Sequence, residues 1–279
     1  MAEQADKHEL YELSVQNVEN EIEFLQTTFK SLTGRTAYLF REDFCGTAAA
    51  SCQWVRQGPE FQAIGVDIDA EVLDWGRTHR VSGLDSASQA RVRLMESDVM
   101  TVETPPVDLL AAFNFSYFIF DTRDKLRAYF KRAYDSLKDD GVFFCDMFGG
   151  PEAQEETKER TKFKKHGFTY IWHQAEFHPV THYIRCHIHF KFKDGSDSRR
   201  HLPTNGGCGR PRRFVNSCSR PVSARRRFTG RARMRTARAM VNSRRKGKVK
   251  PISRGLRILS LKNSTIISWL PRICEPSYG

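Results

Sequence analysis

Tyr11, Val15, Val18, Ile22, Leu25, Phe29 and Leu32 follow one another at alternating steps of four and three. That spacing predicts one long amphipathic helix, ended by Gly34. Short apolar runs then alternate with helical stretches. Ala37–Phe40 reads as a buried strand that leads into two acids, Glu42 and Asp43. A turn at Cys45-Gly46-Thr47 and a helix from Ala48 to Gln57 follow. Phe61–Asp67 makes a second strand, and Asp69 caps a helix from Ala70 to about Arg80. A Ser/Gly/Asp-rich loop over 82–90 leads to a third strand at Val92–Glu96 and a fourth at Val107–Phe113. A helix over Asp121–Leu137, capped by Asp121 or Thr122, a turn at Asp139-Asp140-Gly141 and a fifth strand at Val142–Asp146 complete the series.

Strands alternating with helices predict an α/β fold: a Rossmann-like, doubly wound, mostly parallel sheet with right-handed crossovers. In such a sheet the ligand lies beyond the C-terminal strand ends, where Glu42, Asp67, Asp98 and Asn114 all fall. The pattern then changes. Gly150 to about Lys165 reads as a solvated helix, and Phe168–Phe177 with Thr181–Lys193 as an inserted antiparallel β-hairpin. Beyond Gly195 both apolar periods vanish: Arg225 to Arg238 has neither a strand nor a helix repeat. The expected organisation is an N-terminal helix over 1–34, acting as lid or packing element, and a core over 35–150. A helix-and-hairpin cap over 151–195 and a disordered Arg-rich tail over 196–279 follow.

Charge sharpens that last boundary. The 279 residues carry a formal +12, but 1–195 hold 23 Lys+Arg against 31 Asp+Glu, whereas 196–279 hold 22 against 2. An acidic globular segment is therefore joined to a strongly basic one, which cannot bury enough apolar surface to offset its chain entropy. Only Leu256–Leu270 offers a short strand or helix there. Seven cysteines (Cys45, Cys52, Cys145, Cys186, Cys208, Cys218 and Cys274) form no C-x-x-C pair. Reduced core or near-site thiols fit this better than disulfides or zinc. With no basic-then-apolar leader and no run near the ~18 apolar residues of a membrane span, the expected location is the cytoplasm, without membrane attachment.

The chemistry concentrates at 42–48. Gly46 lets a ligand approach the backbone, and the following helix start offers free N–H groups. Asp67, about 20 residues downstream, is placed to accept from ribose hydroxyls. Glu42-Asp-Phe-Cys-Gly-Thr-Ala48 resembles the first motif of class I S-adenosylmethionine-dependent methyltransferases, written Asp/Glu-x-Gly-x-Gly-x-Gly. Glu42 falls on the acidic position and Gly46 on the central glycine. Phe44 and Ala48 stand where the family more often has glycine, which argues against a dinucleotide pyrophosphate. The resemblance continues in family order through Gly65-Val-Asp67-Ile-Asp69, Glu96-Ser-Asp98-Val and Val107 to Asn114, covering roughly 35–150. The chain also resembles a bacterial branch carrying Glu-Asp-Phe-Cys-Gly-Thr in place of the glycine-rich form.

That resemblance implies S-adenosylmethionine as cofactor and a small-molecule methyl acceptor. Glu42, Cys45 and Gly46 would line the methionine moiety. Asp67 would accept from both ribose hydroxyls and Asp98 from the adenine amine with Val99 beside it, and Ile68 and Asn114 would be further cofactor-binding residues. In-line displacement needs mainly positioning, and a proton acceptor where the acceptor bears a proton. Asn114 and Tyr117 are weak catalytic candidates, because Asn114-Phe-Ser-Tyr117 faintly resembles the Asn/Asp-Pro-Pro-Tyr motif of amino-group methyltransferases without its prolines. Family usage also makes Tyr11 and Gln16 candidate lid residues, and the hairpin a roof for the acceptor pocket. Asp146 with Gly149-Gly150 reads as a turn near the pocket.

His187 and His189 share a strand face, but no spacing supplies a third ligand, so no metal is expected. An alternative function is RNA methylation or nucleic-acid binding, with the basic tail supplying phosphate contacts. Sparse aromatics there (Phe214, Phe228, Trp269, Tyr278) serve base stacking poorly. The family fold needs a helix and two closing strands where this tail stands. Hypothesis: the coding frame shifted near 195–200, since GAA and GAG codons read one base off give Arg and Lys. Translating the gene in the other two frames tests this, and it fails if neither yields an amphipathic helix and apolar strands. Helix face and hairpin edge leave the oligomeric state open.

Overall fold

The computed structural model describes residues 5–148, 152–201, 257–261 and 264–269. The predicted N-terminal helix is two helices, α1 (Lys7–Val15) and α2 (Val18–Thr33), separated by an extended Gln16. Asp6 caps α1 by accepting from the amides of His8 (2.7 Å) and Glu9 (3.1 Å). Gly34 ends α2 in the left-handed conformation, as its position predicts. The break has a packing cause. Leu10, Tyr11, Leu13 and Val15 of α1 pack with Phe168, Ile188 and Phe190, whereas Ile22, Leu25 and Phe29 of α2 pack with Phe40, Trp54 and Phe144. One straight helix could not serve two surfaces.

The central sheet follows the predicted alternation. β1 (Leu39–Asp43), α3 (Ala49–Val55), β2 (Gln62–Asp67) and α4 (Ala70–Gly76) come first, and a π turn at Arg77–Val81 extends α4. The short α5 (Ser86–Gln89) lies inside the predicted loop, before β3 (Val92–Glu96), β4 (Val107–Ala112), α6 (Arg123–Asp135) and β5 (Leu137–Met147). Thr122 caps α6, its side chain accepting from the amide of Lys125. β3, β2, β1, β4 and β5 run parallel and adjacent in that order. All six residues of β4 are buried, as a central parallel strand requires. The turn expected at 139–141 survives as an irregularity within β5: pairing with β4 jumps from Leu137 to Val142.

At the N-terminal edge of the sheet, buried Asp108 accepts from the amides of Tyr38 (3.0 Å) and Leu39 (2.9 Å). It also pairs with Lys138 (2.9 Å) and Arg35 (2.8 Å). This network joins three strands at the end opposite to the ligand side.

The cap differs from expectation. β6 (Thr157–Phe163), β7 (Phe168–Phe177), β8 (Ile184–Phe192) and β9 (Asp197–His201) form a four-stranded antiparallel sheet. The charge-rich run expected as a helix is thus partly the edge strand β6, paired residue for residue with β7 and ended by Phe163 stacked on Phe168 at 5.0 Å. Tertiary pairing overrides helix propensity at a solvated edge.

Regular structure also continues into the segment expected to be disordered. Besides β9, β10 (Arg257–Leu261) and β11 (Ser264–Trp269) form a hairpin whose second strand pairs antiparallel with β5. Two strands are therefore present within the Leu256–Leu270 run, where a short strand or helix was expected. The rest of the basic segment, with the expectations of disorder and of phosphate contacts placed on it, lies outside the described residues. No helix among the described residues is long and apolar enough to cross a membrane.

Candidate cofactor site

The C-terminal ends of β1 and β2 are stitched together by hydrogen bonds. Asp67 accepts from the amide of Gly46 at 2.8 Å and from that of Asp69 at 3.0 Å, while the Cys45 amide donates to the Val66 carbonyl at 3.0 Å. One carboxylate thus holds the loop after β1 and the start of α4. Gly46 has φ +53°, and a Cβ there would meet nothing within 4 Å, so its backbone faces open space.

Phe44 (φ 59°) and Ala48 (φ 61°) keep the left-handed backbone that glycine adopts freely, although neither is glycine. The loop conformation is retained without its usual residues, at a cost of about 1–2 kcal/mol for each. Burial offsets part of this: Phe44 packs on Phe120 and Tyr129, and Ala48 sits with Cys45 and Leu73. Asn114 (φ 55°) and Phe115 (φ 45°) repeat the conformation after β4. Strained residues therefore cluster at the ligand end of the sheet.

Glu42 is 6% exposed. One of its oxygens accepts from Ser51 Oγ at 2.7 Å and from the Ser51 amide at 3.2 Å, so it occupies a donor of the helix start expected to be free. Burial pushes its carboxyl up to about 8, and the charges of Glu21 and Asp67 act in the same direction. The Cys45 thiol is buried and held well above its usual value by burial. It fills the space left by Gly65, where a Cβ would lie 2.9 Å from Cys45 Sγ. Cys45 can reach a ligand only through its backbone.

Ile68 is 72% exposed beside Asp67, and Val99 is buried next to the exposed Asp98. Asp98 accepts from the Met100 amide at 2.8 Å, which keeps its carboxylate at the end of β3. Asn114 is half-buried after β4. Tyr117 departs from its candidate role: it is buried, and its hydroxyl donates to the Asp146 carbonyl at 2.6 Å. That bond anchors the loop after β4 and gives the phenol a structural task.

Asp146, expected to be part of a turn, is a buried acid whose carboxylate accepts from the Phe115 amide at 2.7 Å. Burial pushes it up to about 7, with Glu21 adding to the rise. Sequence reading also passed over Thr47, whose buried Oγ1 has no hydrogen-bond partner among the described residues. The open face of Gly46 and this orphaned hydroxyl fit a loop that receives a polar ligand.

α1 spans this edge. Arg80 of the π turn and Trp75 of α4 bond to its Glu12 and to Asp6 just before it, while its apolar side meets the cap sheet. Tyr11 and Gln16 are half-buried on this bridge, and the Oε1 atom of Gln16 is buried with no hydrogen-bond partner among the described residues. On the outer face of the cap, His173 Nδ1 lies 3.3 Å from His189 Nε2, with the His187 ring 5.6 Å from that of His173. Among the described residues no three His, Cys, Asp or Glu side chains are arranged to hold a metal ion.

No family model matches the chain, and no curated protein matches it. Solved structures match its fold. An S-adenosylmethionine-bound amino pentose methyltransferase from Micromonospora echinaspora is 13% identical, with a TM-score of 0.64 over 95% of this chain and 95% of that one. A S-adenosylmethionine-dependent methyltransferase from Clostridium acetobutylicum is 15% identical, with a TM-score of 0.59 over 94% and 96%. DesVI from Streptomyces venezuelae is 13% identical, with a TM-score of 0.63 over 95% and 98%. The chain has the Rossmann-like fold of these proteins.

Proposed function

We propose that this chain is a S-adenosylmethionine-dependent methyltransferase acting on a small molecule. The observation that carries this reading is the Gly46–Asp67 bond, which sets an acid beside an open glycine at adjacent parallel strand ends. Gly46, the Cys45 backbone and Glu42 would hold the methionine part, and Thr47 Oγ1 would gain a partner. Asp67 has lone pairs left for ribose hydroxyls. Ile68 and Val99 would flank the adenine, Asp98 would accept from its amine, and Asn114 would close the pocket. Bound S-adenosylmethionine supplies an electrophilic methyl whose C–S electron pair returns to sulfur as the acceptor atom takes the carbon. The protein's contribution is to orient, desolvate and manage the acceptor's proton. α1 and the cap sheet would roof the pocket. That the matching structures include small-molecule methyltransferases supports the acceptor class.

The test is calorimetric titration of folded protein with S-adenosylhomocysteine, repeated with Asp67→Ala. One-site binding lost in the variant is expected. A folded protein that binds none refutes the reading.

A further inference from the structure

The buried acids among the described residues divide into two pairs. Asp43 lies 2.7 Å from Arg41, and Asp108 is held by Lys138 and Arg35. Glu42 and Asp146 are equally buried, at 6% exposure each, yet no described cation is bonded to either. A buried acid without a cation either holds a proton or meets a cation that a ligand brings. Under the methyltransferase reading, on which this inference rests, Glu42 would face the cationic methionine part of the cofactor. Asp146, two strands away at the end of β5, is left for a different cation.

The surroundings of Asp146 favour an organic cation. The loop that Asp146 holds presents Phe115, whose ring lies 5.4 Å from that of Phe148 and 6.3 Å from that of Trp172. Phe148 and Trp172 are 6.1 Å apart, and all three rings are half-buried. They come from the ends of β4 and β5 and from the cap strand β7, so they stand where the cap meets the ligand edge of the sheet. Aromatic faces beside a carboxylate bind alkylammonium groups through the ring quadrupole.

We propose that the methyl acceptor is an amine, bound as an ammonium against Phe115, Phe148 and Trp172 and deprotonated by Asp146. One N–H bond breaks, the proton moves to a carboxylate oxygen of Asp146, and the electron pair stays on nitrogen, as displacement requires. The methylated nitrogen leaves with the positive charge, and Asp146 returns its proton to water. Burial and the charge of Glu21 on α2, which raise Asp146, suit it to accept and release a proton near neutrality.

The test uses the full chain saturated with S-adenosylhomocysteine, titrated calorimetrically with benzylamine and with benzyl alcohol, its near-isostere. Benzylamine is expected to bind at least about 10-fold more tightly, and Asp146→Asn to abolish that preference. Trp172→Leu, which keeps an apolar side chain, is expected to weaken benzylamine about 10-fold. It decides the matter if Asp146→Asn does not fold. Equal affinity for the two probes, or no saturable amine binding, overturns the amine inference while the cofactor reading stands. A folded chain that does not bind S-adenosylhomocysteine overturns both.

Discussion

Gly76, at the end of α4, lies directly against the backbone of Thr47 in the cofactor loop. A Cβ on Gly76 would sit 2.6 Å from the Thr47 carbonyl oxygen and 3.0 Å from its carbonyl carbon. Backbone cannot rotate away as a side chain can, so Gly76→Ala must push the helix and the loop apart. The expected loss is about 1–3 kcal/mol of stability, with weaker S-adenosylhomocysteine binding because Gly46 moves with Thr47. Gly65→Ala meets the side chains of Leu94 and Cys45 instead, at 2.8 and 2.9 Å, and is expected to lose less. Thermal melts and cofactor titrations of the two variants check the order.

Ala48 supplies a second test of the same loop. At φ 61°, glycine would relieve about 1–2 kcal/mol of strain. It would forfeit about 0.8 kcal/mol of methyl burial and about 0.4–1 kcal/mol through the freer unfolded chain. Ala48→Gly is therefore expected to fall within about 1 kcal/mol of the parent. A β-branched residue fits this conformation badly, so Ala48→Val should destabilise by more than about 2 kcal/mol. Urea unfolding of both variants measures the contrast, and equal stabilities would refute the strain argument.

Asp108 sits at the opposite end of the strands from the ligand. Asp108→Asn takes a counter-charge from Lys138 and from Arg35, which keeps Asp140 at 2.7 Å, and disturbs the two amide bonds to β1. Both cations are more than one third exposed, so water screens much of the change and the expected loss is about 1–3 kcal/mol of stability. The folded fraction should bind S-adenosylhomocysteine with unchanged affinity. A large change in affinity with little loss of stability would contradict this division between the two ends.

Glu42 predicts a direction for pH dependence. Its carboxyl titrates near 4.5 when unfolded and at about 8 in the fold. Between those values the folded state holds the extra proton, so rising pH favours unfolding over this window. Asp146 acts in the same sense between 3.8 and about 7. Glu42→Gln removes its share, so the advantage of the parent over the variant should shrink from pH 5 to pH 8. Chemical unfolding at the two pH values reads this difference directly.

The alternation of strands and helices was legible in the residues themselves, because apolar periodicity and caps such as Asp69 and Thr122 act over a few positions. So was the series of residues at the strand ends: Glu42, Asp67, Asp98 and Asn114 sit where parallel strands terminate, whatever the packing around them. The boundaries of the cap were not legible. A stretch such as Thr157–Phe163 has no apolar stripe, and it becomes a strand because β7 offers it an unpaired edge.

Other features depend on contacts between distant parts of the chain. Tyr117 reads as a weak catalytic candidate and Asp146 as part of a turn near the pocket. The fold turns the tyrosine inward as an anchor and leaves the acid buried with no cation bonded to it among the described residues. Phe115, Phe148 and Trp172 meet only because the cap folds back over the sheet. β11 finds β5 across many intervening residues. The sequence by itself determined the parallel sheet and its ligand edge, since these follow from local periodicity. Tertiary structure alone decided which strand-end acids are buried and which of them meet a cation among the described residues, because burial and pairing are properties of neighbours in space.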